Sequence, residues 1–286
     1  MKHMAEMVYK ENKTSLIWLT ESLLIFLIFI LSSCHKENAV NEIDPQYPTT
    51  IKPLGSQEYQ TRLDAYWSQN PFMLSDMDPY GFCDETKEFR DLPYPPVFKK
   101  ISTAEAITIA RKFIVSNKME TGVSDTSLLD FSVTYQFTAA DNYYVTHLQT
   151  QTQVVDSMEV SNTNIYIWLE NDQVVYCINN WFPKVYIPAK FLISPDNAVS
   201  NLVGQDYSLP TLTGETSGRV TEGALAGATI SKEIIQYLGP YADINSSSNL
   251  ELRIVYKIFL PSAYTIFNVD VMTGKTLGSE ATIFSK

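Results

Sequence analysis

Histidine, on which most hydrolytic and proton-transfer sites turn, occurs three times in 286 residues. His3 and His35 lie near the N-terminus and His147 in an extended run, so a Ser-His-Asp or Cys-His apparatus would depend on His147 alone. No G-x-S-x-G or H-E-x-x-H spacing accompanies it, and His147 reads as a cross-strand or surface residue. Asp76-Met77-Asp78-Pro79-Tyr80-Gly81 opens like a calcium loop. Its fifth position is Tyr80, however, and its twelfth is Lys87 where a bidentate Glu is required, which leaves a proline-driven turn. Gly274-Lys275-Thr276 has the ending of a phosphate loop, which needs a glycine at position 269 and a helix behind it. Position 269 is Val and Leu277 to Lys286 are poor helix material, so Thr273-Gly274 reads as the corner between two strands. The sequence yields no catalytic residue, no metal ligands and no cofactor.

Aromatics are the better candidates for a site. In the strand Ile165 to Glu170, Tyr166 and Trp168 alternate with Ile167 and Leu169, so both faces are apolar. One face must pack on a helix; the other meets the N-terminal segment, the second half of the chain or a ligand. Trp181 and Tyr186 follow closely. Tyr and Trp are favoured anchors of partner sites, so Tyr166, Trp168, Trp181 and Tyr186 are the binding candidates, with internal packing as the competing use.

The net charge of −11 and pI near 4.8 argue against nucleic acid and anionic lipid, which need a basic face. The N-terminus carries an address. Lys2, Lys10 and Lys13 precede the apolar run Leu23 to Leu31, followed by Ser32, Ser33 and Cys34, the layout of a secretory signal. Leu31-Ser32-Ser33-Cys34 resembles the lipobox of bacterial lipoproteins, which implies acylation of Cys34 and anchoring in the cell envelope through several acyl chains. A plain secretory signal and an uncleaved anchor are the alternatives. His35-Lys36-Glu37 also looks like the signal that sends some lipoproteins to the outer-membrane surface. Cys83 and Cys177 would then lie in an oxidising compartment, either paired, tying the N-terminal segment to the sheet, or as separate thiols.

The elements that must position these residues follow from hydrophobic period. Residues 34–56 are polar and proline-bearing and read as a tether. Tyr59, Leu63, Tyr66 and Trp67 predict a short helix that ends before Pro71, opening an aromatic, proline-rich wrapping segment over 57–100. Ser102-Thr103-Ala104-Glu105 is a capping box ahead of the apolar stripe Ala106, Ile107, Ala110, Phe113, Ile114. Phe131, Val133, Tyr135 and Phe137 alternate with polar residues as one half-buried strand, and Asn171-Asp172 joins two more as a hairpin. Ser194-Pro195 starts a second helix through Ala198, Val199, Leu202 and Val203, and a further short helix is expected around Ile234, Ile235 and Leu238. Leu250, Leu252, Ile254, Tyr256, Ile258 and Leu260 share one face of a long strand. The fold class is therefore α+β: antiparallel sheets with helices packed on one face, in two helix-then-sheet units, 101–190 and 191–286.

His147-Leu148-Gln149-Thr150-Gln151-Thr152-Gln153, Met158-Glu159-Val160 and Ile165 to Val175 resemble the FTP module of secreted protease propeptides, although Val155-Asp156-Ser157-Met158 stands where that module has Gly-x-Pro-Val. Ile193 to Ala198, and Ile254 to Leu277 with Asn268-Val269-Asp270-Val271-Met272-Thr273-Gly274-Lys275, resemble the PepSY module. The resemblance covers roughly residues 101–280 and implies cystatin/PepSY-like units. It also implies a non-catalytic, lipid-anchored envelope protein that binds another protein, a peptidase it restrains or helps to fold. A surface lipoprotein whose aromatics stack on sugar rings is the alternative; a hydrolase centred on His147 is the third reading.

Overall fold

The computed structural model describes residues 43–85, 98–139, 144–211, 214–238 and 248–282, less the side chains of 210–216. The signal segment, Cys34 and His35 lie outside the described residues. Among those described, no helix is long and apolar enough to cross a membrane.

The N-terminal part supplies strand β1 (Thr49–Ile51), helix α1 (Ser56–Gln69) and a two-rung hairpin of β2 (Asp76–Met77) and β3 (Cys83–Asp84). Helix α1 ends at Asn70, ahead of Pro71, as the spacing predicts. It buries Leu63 and Tyr66. The main helix α2 (Thr103–Ser116) starts on the expected capping box: Glu105 N–H donates to Ser102 Oγ at 3.3 Å and Ser102 N–H to Glu105 Oε2 at 2.8 Å. One turn later α3 (Lys118–Thr121) closes on Gly122 at φ +66. A Cβ there would stand 2.8 Å from the Trp181 carbonyl, so glycine serves both conformation and clearance.

The first sheet has four antiparallel strands in the order β4 (Phe131–Thr138), β5 (Tyr144–Thr150), β8 (Ile165–Glu170), β9 (Gln173–Asn179). Its inner face presents Tyr144, Leu148, Ile165, Ile167, Leu169 and Cys177 to the Ala106, Ala110, Phe113 and Ile114 stripe of α2. Tyr66, Met73 and Cys83 complete that core, so the wrapping segment closes a cluster built by others.

The second sheet runs β15 (Thr276–Ala281), β14 (Thr265–Asp270), β13 (Leu250–Leu260), β12 (Thr229–Tyr237), β7 (Met158–Val160), β6 (Val154–Val155). A separate hairpin joins β10 (Asp206–Thr211) to β11 (Gly214–Arg219). Ile234, Leu252, Ile254, Tyr256, Ile258, Leu260, Phe267 and Val269 form the inner face, covered by Ala198 and Leu202 at and beyond α4 (Pro195–Ser200). Ser194 Oγ caps α4 by accepting the Asn197 N–H.

The α+β class and the antiparallel ladders match the sequence reading; three details of it do not. The expected tether is structured from Ile43 on: β1 pairs with Leu250 to Leu252 of β13 and Tyr47 is buried. Ile234, Ile235 and Leu238 do not make a helix. Thr229 to Tyr237 pair with β13 along nine residues, and the β-branched pair Ile234-Ile235 sits better on a pleat than on a helix. Finally, the sheets do not divide at 190/191. Hairpin β6–β7 leaves the first half to join the second sheet, where β7 runs parallel to β12, Glu159 opposite Glu233 and Val160 opposite Ile234. A period-two pattern shows which face is buried but not which sheet a strand joins.

Between β14 and β15, Gly274 turns the chain at φ +70, so the would-be phosphate loop is a hairpin corner. Just before it the fully buried carboxylate of Asp270 accepts five hydrogen bonds: Tyr47 Oη and Arg253 Nη1, both at 2.9 Å, Met272 N–H at 2.9 Å, Thr273 N–H at 2.8 Å and Thr273 Oγ1 at 3.1 Å. Removing one partner of a buried pair costs about 3–5 kcal/mol, and an orphaned buried donor about 1–3. Asp270→Ala should therefore lose about 3–5 kcal/mol in urea unfolding and Tyr47→Phe about 1–3. An Asp270→Ala loss below 1 kcal/mol would mean the network is not formed.

Candidate functional site

The face of the first sheet turned away from α2 carries the aromatics. Two β-bulges decide which side chains reach it. On β4 the register slips between Val133 and Tyr135. Before the slip, Phe131 and Val133 pack into the α2 core; after it, Tyr135 stands opposite His147 and Phe137 opposite Val145, on the outer face. The single stripe read from the sequence is thus two half-stripes on opposite faces, since one inserted residue inverts the alternation. On the β8–β9 hairpin a second slip lies between Trp168 and Leu169. The two-residue turn alone would set Val175 opposite Trp168; the bulge sets Tyr176 there instead.

The outcome is a row with one ring per strand, Tyr135, His147, Trp168 and Tyr176, each directly opposite the next. Ring centroids are 5.8 Å apart for Tyr135–His147, 4.5 Å for His147–Trp168 and 6.2 Å for Trp168–Tyr176, mostly edge to face. Such pairs add about 0.5–1.5 kcal/mol each beyond area burial. A neighbouring row holds Ser132, Gln149, Tyr166 and Ile178, and a third Phe137, Val145, Glu170 and Gln173. Tyr135 is 66% exposed, Phe137 47% and Tyr166 39%. The first two rows border a groove of about 370 Å³. Within this surface His147 Nε2 and Trp168 Nε1 are buried with no hydrogen-bond partner. Burial pushes the His147 imidazole below its ordinary value, so it is neutral at pH 7 and serves as a ring among rings.

The four aromatic candidates therefore separate. Tyr166 and Trp168 share the outer face. Trp181 packs against the first core, its carbonyl over Gly122 and its N–H donating to Asn179 Oδ1 at 3.0 Å. Tyr186 packs on the second core, and its hydroxyl donates to Asp44, which lifts the phenol above its usual range. Both are structural. Tyr135 and Tyr176 belong to the site and were not singled out, because no residue type marks a bulge.

Cys83 and Cys177 are free thiols, both buried in the first core and adjacent to one another. Tyr66 Oη lies 3.5 Å from Cys83 Sγ and 3.1 Å from Ser75 Oγ, which accepts the Cys177 N–H. Burial, then the neighbouring Cys83, pushes the Cys177 thiol well up. The Asp76 and Asp78 carboxylates are spent on their own turn and on helix α1. Asp76 Oδ1 accepts from Met77 N–H and Tyr59 Oη, and Asp78 Oδ1 from the N–H groups of Tyr80 and Phe82. Cys34 lies outside the described residues.

No family model matches this chain, and none of the curated proteins does. Among solved structures it is similar to the Bacillus megaterium YpeB C-terminal domain, 11% identical, over 81% of this chain and 99% of that chain, with a TM-score of 0.26. A likeness that slight carries no argument.

Two titrations follow. Burial pushes Asp78 up to about 6, against the hydrogen bonds it accepts. A folded pKa above the unfolded one means the folded state holds the proton longer, so stability falls as pH rises from about 4 to about 6 and then levels, by roughly 2–3 kcal/mol. Asp78→Asn should flatten that part of the curve, and an unchanged slope would exclude Asp78 as its source. His147 should titrate below 6.5 by NMR, with protonation disfavouring the fold as pH falls; a midpoint above 6.5 would contradict its burial among the rings.

Proposed function

We propose that this chain is a lipid-anchored, non-catalytic protein of the cell envelope that binds another protein through the aromatic face of its four-stranded sheet. One observation carries the reading: Tyr135, His147, Trp168 and Tyr176 form a continuous row across all four strands on the side away from α2. Monomers rarely leave aromatic surface uncovered, and Tyr and Trp concentrate binding energy when a partner desolvates them. His147 supports a binding role rather than a hydrolytic one, because its ring is committed to stacking between Tyr135 and Trp168. The anchor rests on Leu31-Ser32-Ser33-Cys34 and the apolar run before it. The partner class, a peptidase restrained or assisted in trans, comes from the sequence resemblance to protease propeptide modules.

The second reading, a surface lipoprotein that binds carbohydrate, is favoured by one feature, the unpartnered Trp168 Nε1 and His147 Nε2 beside the stacked rings. Sugar hydroxyls would satisfy both once the rings shift to expose them, while the rings take the apolar sugar faces.

Capture from envelope extract on the mature chain should recover a defined protein whose binding falls about 30-fold, the hot-spot scale of 2 kcal/mol, in Tyr166→Ala and Trp168→Ala. Trp181→Ala and Tyr186→Ala should show no such specific loss. Retention by the Tyr166 and Trp168 variants would refute the assignment of this face; a glycan array with a sequence-specific signal would replace protein by sugar. Radioactive palmitate should label the chain and not Cys34→Ala. Pairing of Cys83 with Cys177 in the oxidising envelope is part of the same proposal, and a mass lower by two hydrogens before reduction would show it.

A further inference from the structure

The four-stranded sheet has two edges of different character. At β9 the edge is occupied: Leu74 N–H donates to the Val175 carbonyl at 2.7 Å, and β3 lies alongside with Cys83 against Cys177. At β4, among the described residues, no strand pairs with the outer edge. Natural edges are blunted by lysine, proline, inward charge, short length or a bulge. Strand β4, Phe-Ser-Val-Thr-Tyr-Gln-Phe-Thr, has eight residues and no lysine, proline or charge; the bulge at Thr134 is its one such device, and pairing with β5 continues on both sides of it while Tyr135 and Phe137 turn onto the aromatic face.

Charge narrows what can sit there. The three rows of the outer face contain no Lys or Arg, and their one carboxylate is Glu170. Asp84 and Glu85 act on Tyr176 at the far end of the row, and the His147 ring is held neutral. Faces of Tyr and Trp attract cations, and the chain as a whole carries −11. A strand added at β4 would lie about 4.8 Å from it, setting alternate side chains beside Tyr135 and Phe137.

We infer that an extended, basic segment of a partner protein adds a fifth strand at the β4 edge, its Lys or Arg side chains lying over the Tyr135 and Phe137 rings. Backbone pairing supplies the affinity and the aromatic, cation-free face the specificity. The inference rests on the reading of this face as a protein-binding surface and names the chemistry of its partner.

The probes are fluorescein-labelled octapeptides on the full chain carrying Cys34→Ser: alternating Lys-Val, alternating Glu-Val, and the Lys-Val peptide N-methylated along one edge. Lys-Val should bind at least tenfold tighter than Glu-Val, and N-methylation should cost at least tenfold. Tyr135→Lys and Phe137→Lys, both at exposed positions, should each weaken Lys-Val binding tenfold or more, with the unfolding midpoint of Phe137→Lys unchanged and that of Tyr135→Lys lowered by no more than the loss of its one ring pair with His147. Equal binding of the two charge types, or indifference to N-methylation, overturns the inference. So does concentration-dependent dimerisation abolished by Tyr135→Lys, which would make a second copy the occupant. If the peptides fail while capture of a defined protein still depends on Trp168, the edge is wrong and the protein-binding face stands.

Discussion

One carboxylate holds the N-terminal segment to the second sheet. Asp270 sits at the end of β14 with no exposed surface, and five donors converge on it from three parts of the sequence. Met272 and Thr273 shape the turn into β15. Arg253, paired also with Glu251 at 2.6 Å, comes from β13. Tyr47 comes from the N-terminal segment, donating to Asp270 while accepting the Ile254 N–H at 3.0 Å. Burial, then the Asp270 charge beside it, raises the Tyr47 phenol above its usual range, so it stays a donor at any physiological pH. A buried charge is tolerated only when its lone pairs are filled, and filling these requires Tyr47 and Arg253 to be in place together. That requirement fixes β1 on the free half of β13, below the end of β14, and explains how a polar N-terminal stretch becomes part of a sheet.

From there the wrapping segment has a fixed origin. It passes through α1, which contributes Tyr66 to the first core, and then reaches the β9 edge, where Leu74 and Cys83 dock. The consequence for the site is an asymmetry. Among the described residues, one edge of the four-stranded sheet is covered by the chain's own N-terminal part and the other pairs with no strand. Because α2 takes the inner face and the wrap takes the β9 edge, the outer face and the β4 edge are what the described residues leave as surface on that sheet.

Elements whose cause is local were legible in the sequence. The Ser102–Glu105 capping box, the stripe on α2, the Ser194 cap, the stop before Pro71 and the Gly274 corner all arise from residues within a few positions of one another. Elements whose cause is distant were not. Nothing in Gln46-Tyr47-Pro48 announces Asp270, 223 positions on. Nothing in Met158-Glu159-Val160 says that its partner is β12 and not its sequence neighbours. Ile234 and Ile235 read as a helix fragment because the nine-residue pairing that makes them a strand lies in β13. The site was half legible for the same reason. Tyr166 and Trp168 follow from alternation within one strand, whereas Tyr135 and Tyr176 depend on slips of register that only a paired strand can define.

Those two slips also explain why the aromatic face tolerates being open. Without them, Tyr135 and Phe137 would compete with Phe131 and Val133 for the volume above α2, and Val175 would stand where Tyr176 does. With them, the large rings leave a core that has no room for them and gather outside, where each covers the edge of the next. Mutual shielding lowers the apolar area left in water without closing the surface, so Trp168 is half-buried while Tyr166 and Tyr135 stay accessible. Extra backbone in two different strands, each case recruiting an aromatic to the same row, is a local loss of ladder regularity. What the bulges add is the row itself, one ring from each of the four strands on the side away from α2.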